Sequence, residues 1–466
     1  MINNGLRPYE TYIDTGTDWL ENIPAHWEKM SIRAITELSN KRYGLRDDLE
    51  LLSVYREFGV VRKNSRDDNH NVESLDLSNY KYVHKGDLVL NKMKMWQGSL
   101  GVSKYEGIVS PAYIVCKIKG NINLEYLHLL LRSPKYKTIY NRISYGIRIG
   151  QWDMRYDDFK KINLFIPPRS EQDQIVKYLD HKLAKINKFI KAKKKLIAVL
   201  KEQKQAIINE AVTKGLDPNV KMKPSGIEWL GDVPEHWEIK RLKNIGNAII
   251  GLTYSPGEIC DENGTLVLRS SNIQNGKIYL NDNVYVNKKI PKHLVTKTGD
   301  ILVCSRNGSR KLVGKCGLID GNSENLSFGA FTTMFRSEYN NFVYYIFNSA
   351  LFSYQCGSFF TSTINQLTIN DFKAMVVPFP PRKEQDEIVL FTNQKLNFID
   401  KGIVLVEKEL DLILEYKNSL ISEVVTGKVD VRKIAINESE EEIVEDTELD
   451  EDLINEESLK AEDGDE

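Results

Sequence analysis

Two places in this sequence group side chains that can hydrogen-bond base edges and neutralise phosphates. In the first, NKMKMWQGS carries Lys92, Lys94, Trp96, Gln97 and Ser99 just after an apolar run, and SYGIRIGQWDMR adds Arg148 and Gln151. In the second, SRNGSRK carries Arg306, Asn307, Ser309, Arg310 and Lys311, and TSTINQ adds Thr363, Asn365 and Gln366. Arg, Asn, Gln and Ser offer the donors and acceptors that tell bases apart in a groove, while Lys and Arg hold phosphates. Taken singly, each residue reads more readily as a solvated surface group or a packing aromatic, because few side chains in such a set reach bases.

Catalytic motifs do not accompany these groups. The sequence has no glycine-rich cofactor loop after a strand, no N-P-P-Y-like motif, no P-loop, no H-E-x-x-H and no P-D...E-x-K carboxylate cluster. Its seven histidines show no catalytic pairing, and Cys116, Cys260, Cys304, Cys316 and Cys356 are scattered without metal-site spacing. They read as reduced thiols of a cytoplasmic protein. No run approaches membrane-span length, and the opening MINNGLRPYETYIDTG has no apolar signal-peptide core.

The formal charge of -1 divides into -15 over residues 438–466 and +14 over residues 1–437. A basic body of this kind attracts a polyanion, nucleic acid first, although +14 over so large a surface also suits an ordinary soluble protein. The acidic end has the composition of a disordered solubilising tail, with a DNA-mimicking or partner-binding role as the alternative.

What positions the two groups is a duplication. DDFKKINLFIPPRSEQDQIVKYLDHKLAKINKFI from Asp157 matches NDFKAMVVPFPPRKEQDEIVLFTNQKLNFIDKGI from Asn370, 213 residues later. GTDWLENIPAHWE from Gly16 matches GIEWLGDVPEHWE from Gly226 at an offset of 210, and Gly86-Asp87 matches Gly299-Asp300 at 213. Gly101 is set against Gly314 at that same offset. Such a long period means two tandem domains of like fold, not a solenoid. Residues 36–85 and 246–298 share little, which suggests one scaffold presenting two different surfaces. Short segments such as GTLVLRSSNI and GDILVCS read as strands, and LEYLHLLLRS and NFVYYIFNSALFSYQ as helices. Trp19, Trp27, Trp229 and Trp237 belong to the shared frame and are expected in the core.

After each PPR-x-EQD the apolar period changes. Steps of four and three from Gln172 and from Gln385 land on apolar residues at nine of twelve positions in each copy, the signature of a coiled-coil seam. Lys204 and Lys417 interrupt it at equivalent places. Proline can open a helix, and Ser170 with Asp173 forms a capping pattern in the first copy only. Helices of about 44 residues would each be ~66 Å long. Connectivity makes the pair antiparallel, with one variable domain at each end. Two basic heads on a rigid spacer suit a two-part linear target such as duplex DNA, whose repeat is about 34 Å.

The doubled WL..(I/V)P.HWE, the NKMKMWQGSLGVS...GIVSP run and DDFKKI.L..PPRSEQ with the helix after it resemble the specificity subunit of type I restriction-modification systems. The likeness runs from about residue 8 to residue 430. It implies an α+β chain of two tandem mixed α/β target-recognition domains separated by two long helices forming an antiparallel coiled coil. The boundaries expected are 1–169 for the first domain, 170–214 for the first helix, 215–225 for a linker, 226–382 for the second domain, 383–426 for the second helix, and 427–466 for a C-terminal segment with the acidic tail. Each domain would read half of a bipartite site in double-stranded DNA, with helix length setting the gap. The helices would dock two methyltransferase subunits, and the assembly can recruit restriction subunits. The chain itself would be non-catalytic and bind no cofactor; S-adenosylmethionine, ATP and Mg2+ belong to those partners. A coiled-coil scaffold that binds only proteins is the alternative.

Overall fold

The computed structural model describes residues 7–42, 49–56, 58–63, 77–146, 152–359 and 365–436. They form two compact units: Met1–Lys194 with Lys408–Glu466, and Lys195–Glu407. The boundary cuts two long helices, Arg169–Lys214 and Arg382–Val425, so each unit holds the opening of one and the end of the other. Among the described residues no helix is long and apolar enough to cross a membrane.

The first unit is built on a four-stranded antiparallel sheet in the order Thr36–Ser39, Tyr113–Ile118, Leu88–Asn91, Leu100–Val102. The run LVLN is apolar throughout because both of its faces are covered. Leu88 and Leu90 enter a core shared with the helices Leu124–Arg132 and Pro134–Ile143, and Val89 enters another with Leu52, Val54 and Val83. The second unit repeats this plan in a six-stranded sheet. There Ile301 and Val303 face the helix side, and Leu302 and Cys304 face a separate core with Val267 and Phe328. NFVYYIFNSALFSYQ makes two helices, Asn340–Phe347 and Ala350–Ser358, broken at Asn348 and Ser349.

Strand register corrects one correspondence. Val89 pairs with Gly101, and its equivalent Leu302 pairs with Gly317, so Gly101 corresponds to Gly317 and not to Gly314. Gly314 instead matches Gly98, both at φ +92°, and the intervening loop is three residues longer in the second unit. Only glycine adopts that left-handed turn without steric cost, so it is the turn that fixes the match.

The PPR-x-EQD motif works as a joint. Glu171, in the first turn of the first long helix, is 5% exposed and accepts from Tyr9 Oη at 2.7 Å, His26 Nε2 at 2.7 Å and Trp27 Nε1 at 3.0 Å. It therefore binds the HWE motif from the start of the domain to the helix that leaves it. Burial, together with the hydrogen bond to Glu171, holds the Tyr9 phenol protonated well above its usual range. Gln172 Nε2 donates to the Pro167 carbonyl at 2.9 Å, and Arg169 pairs with Asp173 one turn on. The second copy repeats the parts: Glu384 with His236 at 2.7 Å, Gln385 with the Pro380 carbonyl at 2.8 Å, and Arg382 with Asp386. The helix begins at Arg169, so Ser170 lies inside its first turn. Asp173 is taken by Arg169 and by Asn123 Nδ2, and the expected Ser170 cap does not form.

All twelve seam positions on each long helix are buried or half-buried. In the first unit Asn187–Lys417 and Lys193–Glu409 contacts fix the two helix segments antiparallel. In the second unit Ile197, Ile399 and Ile403 pack together beside a Lys204–Asp400 ion pair of 2.6 Å. Lys204 and Lys417, and likewise Asn187 and Asp400, are duplicates of one another. The equivalent breaks at Lys204 and Lys417 are thus one polar pair written twice, and such pairs hold register.

Each helix ends by docking into a core. Leu420, Val424 and Val425 join Trp27 and Tyr126 in the first unit, and Ile208, Ala211 and Val212 join Trp237 in the second. Gly427 closes the second helix at φ +75°, where a Cβ would meet Pro24 at 2.4 Å. Residues 427–436, the start of the expected C-terminal segment, pack onto the first unit: Val429 and Val431 are buried, and Gln174 Nε2 holds the carbonyls of Val431 and Ile434. Trp27 and Trp237 are core residues as expected, and Trp19 packs on buried Tyr136. Trp229 is at the surface, because its partner ring, Tyr354, is itself exposed.

Replacing Glu171 with Ala strands three donors, which should destabilise the first unit by about 2–4 kcal/mol. Glu384→Ala should cost the second unit less, since one such bond is lost there. Thermal unfolding of the two variants, followed by tryptophan fluorescence, checks the order.

Candidate nucleic-acid interface

The two groups of candidate residues occupy the same place on the duplicated frame. In the first unit the strand Leu88–Asn91 runs into a turn at residues 92–94 and a short 3-10 helix, Met95–Gln97, pinned by fully buried Met95. The Met154 amide donates to the Lys92 carbonyl at 3.1 Å, stapling this turn to the segment before the helix Tyr156–Phe159. In the second unit Ile301–Cys304 runs into the longer loop 305–312, and the Leu367 amide donates to the Ser305 carbonyl at 2.8 Å. Lys92 and Ser305, like Met154 and Leu367, lie 213 residues apart, so the staple is conserved between copies while the side chains around it differ.

Around the first staple, Lys92 Nζ pairs with Asp153 at 2.7 Å and Trp96 meets Trp152 edge-on at 5.2 Å between ring centroids. Lys94 is exposed and Gln97 half-buried. Ser99 is 1% exposed, which turns its hydroxyl away from the surface. Arg148 and Gln151 lie outside the described residues. Sequence reading missed Tyr145 and Arg155, stacked at 4.7 Å beside the same segment. An arginine three residues after a tryptophan was the only available signal.

Around the second staple, the Arg306 backbone bridges to Gln366, and the Asn307 amide donates to the Asn365 carbonyl at 3.3 Å. Asn365 Nδ2 returns to the Gly308 carbonyl at 3.0 Å, and Asn307 Oδ1 accepts from the Ser309 amide. The fold therefore brings SRNGSRK and the NQ pair together, as it does the first pair of stretches. Arg306, Ser309, Arg310 and Lys311 are all exposed. Thr363 lies outside the described residues. Asn307 Nδ2 also reaches Ser270 Oγ at 3.4 Å, adding the turn Ser270–Asn272, which sequence reading took as the end of a strand. Asn272 is buried and donates to the carbonyls of Tyr279 and Asn281, so that turn is rigid.

These surfaces offer hydrogen-bond donors, amides and positive charge, the chemistry that holds phosphates and base edges. Burial pushes the thiols of Cys116 and Cys356 up to about 12, far from nucleophilic range. Among the described residues no group of three His, Cys, Asp or Glu is placed to hold a metal ion.

A profile of the type I restriction modification DNA specificity domain matches residues 24–199 and again 234–403. The type I restriction enzyme MjaVIII specificity subunit of Methanocaldococcus jannaschii is 27% identical over 376 residues, covering 76% of this chain and 81% of that protein. The EcoKI specificity subunit of Escherichia coli is 27% identical over 307 residues, covering 63% and 62%. A chain from a structure of complex assembly and conformational transition in the type I R-M system shares the fold, with a TM-score of 0.62 at 13% identity over 87% of this chain and 99% of that one.

If the exposed Lys94 neutralises a phosphate, Lys94→Ala weakens DNA binding about equally on all sequences and lowers the slope of log K against log salt by about one. Titration of duplex DNA at several salt concentrations, using the chain assembled with its partners, checks both effects.

Proposed function

The chain belongs to the type I restriction modification DNA specificity family, and from that membership we propose that it is the subunit that selects the DNA sequence on which a type I complex acts. One observation carries the reading. Equivalent strand ends in two duplicated domains, stapled by the same hydrogen bond, present unlike sets of polar and basic side chains. A shared frame with unlike surfaces is what reading two different half-sites requires, and the +14 body supplies the long-range attraction. Direct readers are drawn from Lys92, Lys94, Trp96, Gln97, Arg306, Asn307, Ser309, Arg310, Lys311, Asn365 and Gln366, with Arg148 and Gln151 beside them in sequence. The long helices set the unread gap.

The chain is non-catalytic in this reading. Adenine methylation from S-adenosylmethionine, and ATP- and Mg2+-dependent restriction, fall to partner subunits. The second helix supports docking of a methyltransferase subunit: within the second unit Phe391, Phe398 and Leu405 recur every seven residues outside the seam and are 37%, 79% and 65% exposed; a second methyltransferase subunit belongs to the same reading. An apolar stripe of that length on a soluble helix marks a partner surface. A scaffold binding only proteins would show no salt-dependent DNA affinity, and membership of a DNA specificity family does not favour it.

Single-molecule sequencing of DNA from cells expressing this chain with its methyltransferase should show a bipartite methyladenine motif that is absent with the methyltransferase alone. Two associated proteins with no new motif would refute the reading. Phe398→Ser with Leu405→Ser should lower the number of methyltransferase subunits co-purifying per chain, and an unchanged ratio would remove the docking surface.

A further inference from the structure

Strand register identifies a pair of equivalent positions that sequence comparison alone did not align. Asn91 pairs with Tyr113 in the first unit, and its duplicate Cys304 pairs with Thr332 in the second. Residue 93 therefore corresponds to 306, and residue 112 to 331. The first unit places Met93 and Ala112 there; the second places Arg306 and Phe331.

Phe331 is 59% exposed, an apolar ring left at the surface just before the strand Thr332–Arg336. Its carbonyl accepts from the Ser305 amide at 3.0 Å, the Arg306 amide at 3.0 Å and Ser305 Oγ at 3.1 Å, so its backbone is locked to the strand end that carries Arg306. The Arg306 guanidinium carbon lies 5.1 Å from the centre of the Phe331 ring. Among the described residues Arg306 enters no ion pair, and its backbone is held through the bridge to Gln366. A fully charged fork is thus laid on an aromatic face, with its N–H edges left for a ligand. Stacking of this kind fixes a guanidinium plane before binding and reduces the side-chain entropy lost on binding.

We propose that Arg306, held on the ring of Phe331, reads a guanine in the half-site taken by the second unit, through paired hydrogen bonds to O6 and N7. The inference rests on the sequence-selecting function above and names the base for one position of it. Guanine presents two acceptors on its major-groove edge that match two guanidinium donors, whereas adenine places an amino donor beside N7 and would oppose the fork. Phe331 acts as a positioning residue. The first unit, with Met93 and Ala112 at these positions, lacks the pair and reads its half-site by other contacts.

Sequencing the methylated sites made by complexes carrying Arg306→Ala, Phe331→Ala or both tests the assignment. Both side chains are exposed, so the variants should fold. Arg306→Ala should make one G·C position of one half-site degenerate, with preference there falling about tenfold to a hundredfold. Phe331→Ala should relax the same position less, the double variant should look like Arg306→Ala, and the other half-site should keep its sequence. An unchanged motif, relaxation at an A·T position, or a uniform fall in methylation with the motif intact would overturn it, the last marking Arg306 as a phosphate contact. A wild-type complex that yields no chain-dependent motif fails in a different way, and removes the sequence-selecting function and this inference together.

Discussion

A carboxylate at the first turn of each long helix, buried at Glu171 and half-buried at Glu384, closes each unit. Taking Glu171 out of water is costly unless donors replace the solvent, and Tyr9, His26 and Trp27 replace it. The helix N-terminus adds favourable positive potential. Because the donors come from the start of the domain and the acceptor from the helix leaving it, one ionic cluster closes the domain and aims the helix. This is why PPR-x-EQD and HWE are both written twice: neither motif can do its work without the other. The second copy is the looser version, with buried Trp237 Nε1 lacking a partner among the described residues.

With the joint and the sheet fixed, sequence is free to vary elsewhere. The central strand of the sheet, Leu88–Asn91 or Ile301–Cys304, is buried on both faces in each unit and its core-facing residues stay apolar, while the loops beyond the strand ends carry the differences. The duplicated polar pair in the seam follows the same logic, since Lys204 with Asp400 and Lys417 with Asn187 hold the same register in each unit. The stripe from Phe391 to Leu405 breaks the duplication: Phe398 and Leu405 stand where the first helix has Lys185 and Ala192. The two helices share an inner face and differ outside it.

Much of this was legible in the sequence because duplication is an internal control. The repeated motifs located the joint, and the four-and-three stepping picked seam positions that all proved buried or half-buried. What escaped depends on contacts distant in sequence. Ser170 looks like a cap, but whether it caps depends on where Asn123 and Arg169 send their side chains. Gly101 and Gly314 share an offset, yet hydrogen-bond register matches different glycines. Ser99 has a reader's chemistry and sits inside the fold, while Phe331 has the chemistry of a core residue and sits outside it. Residue type does not report exposure at a strand end, where one step changes which face a side chain takes.

The central claim is that one frame carries two exchangeable readers. The direct measurement is methylome sequencing of a complex in which the divergent part of the second unit, the loops between its Trp-rich opening and its PPR-x-EQD joint, replaces the corresponding part of the first, leaving both joints and both helices intact. The account predicts a bipartite motif whose two half-sites have become the same sequence. A folded, assembled complex that still methylates the original first half-site would contradict it.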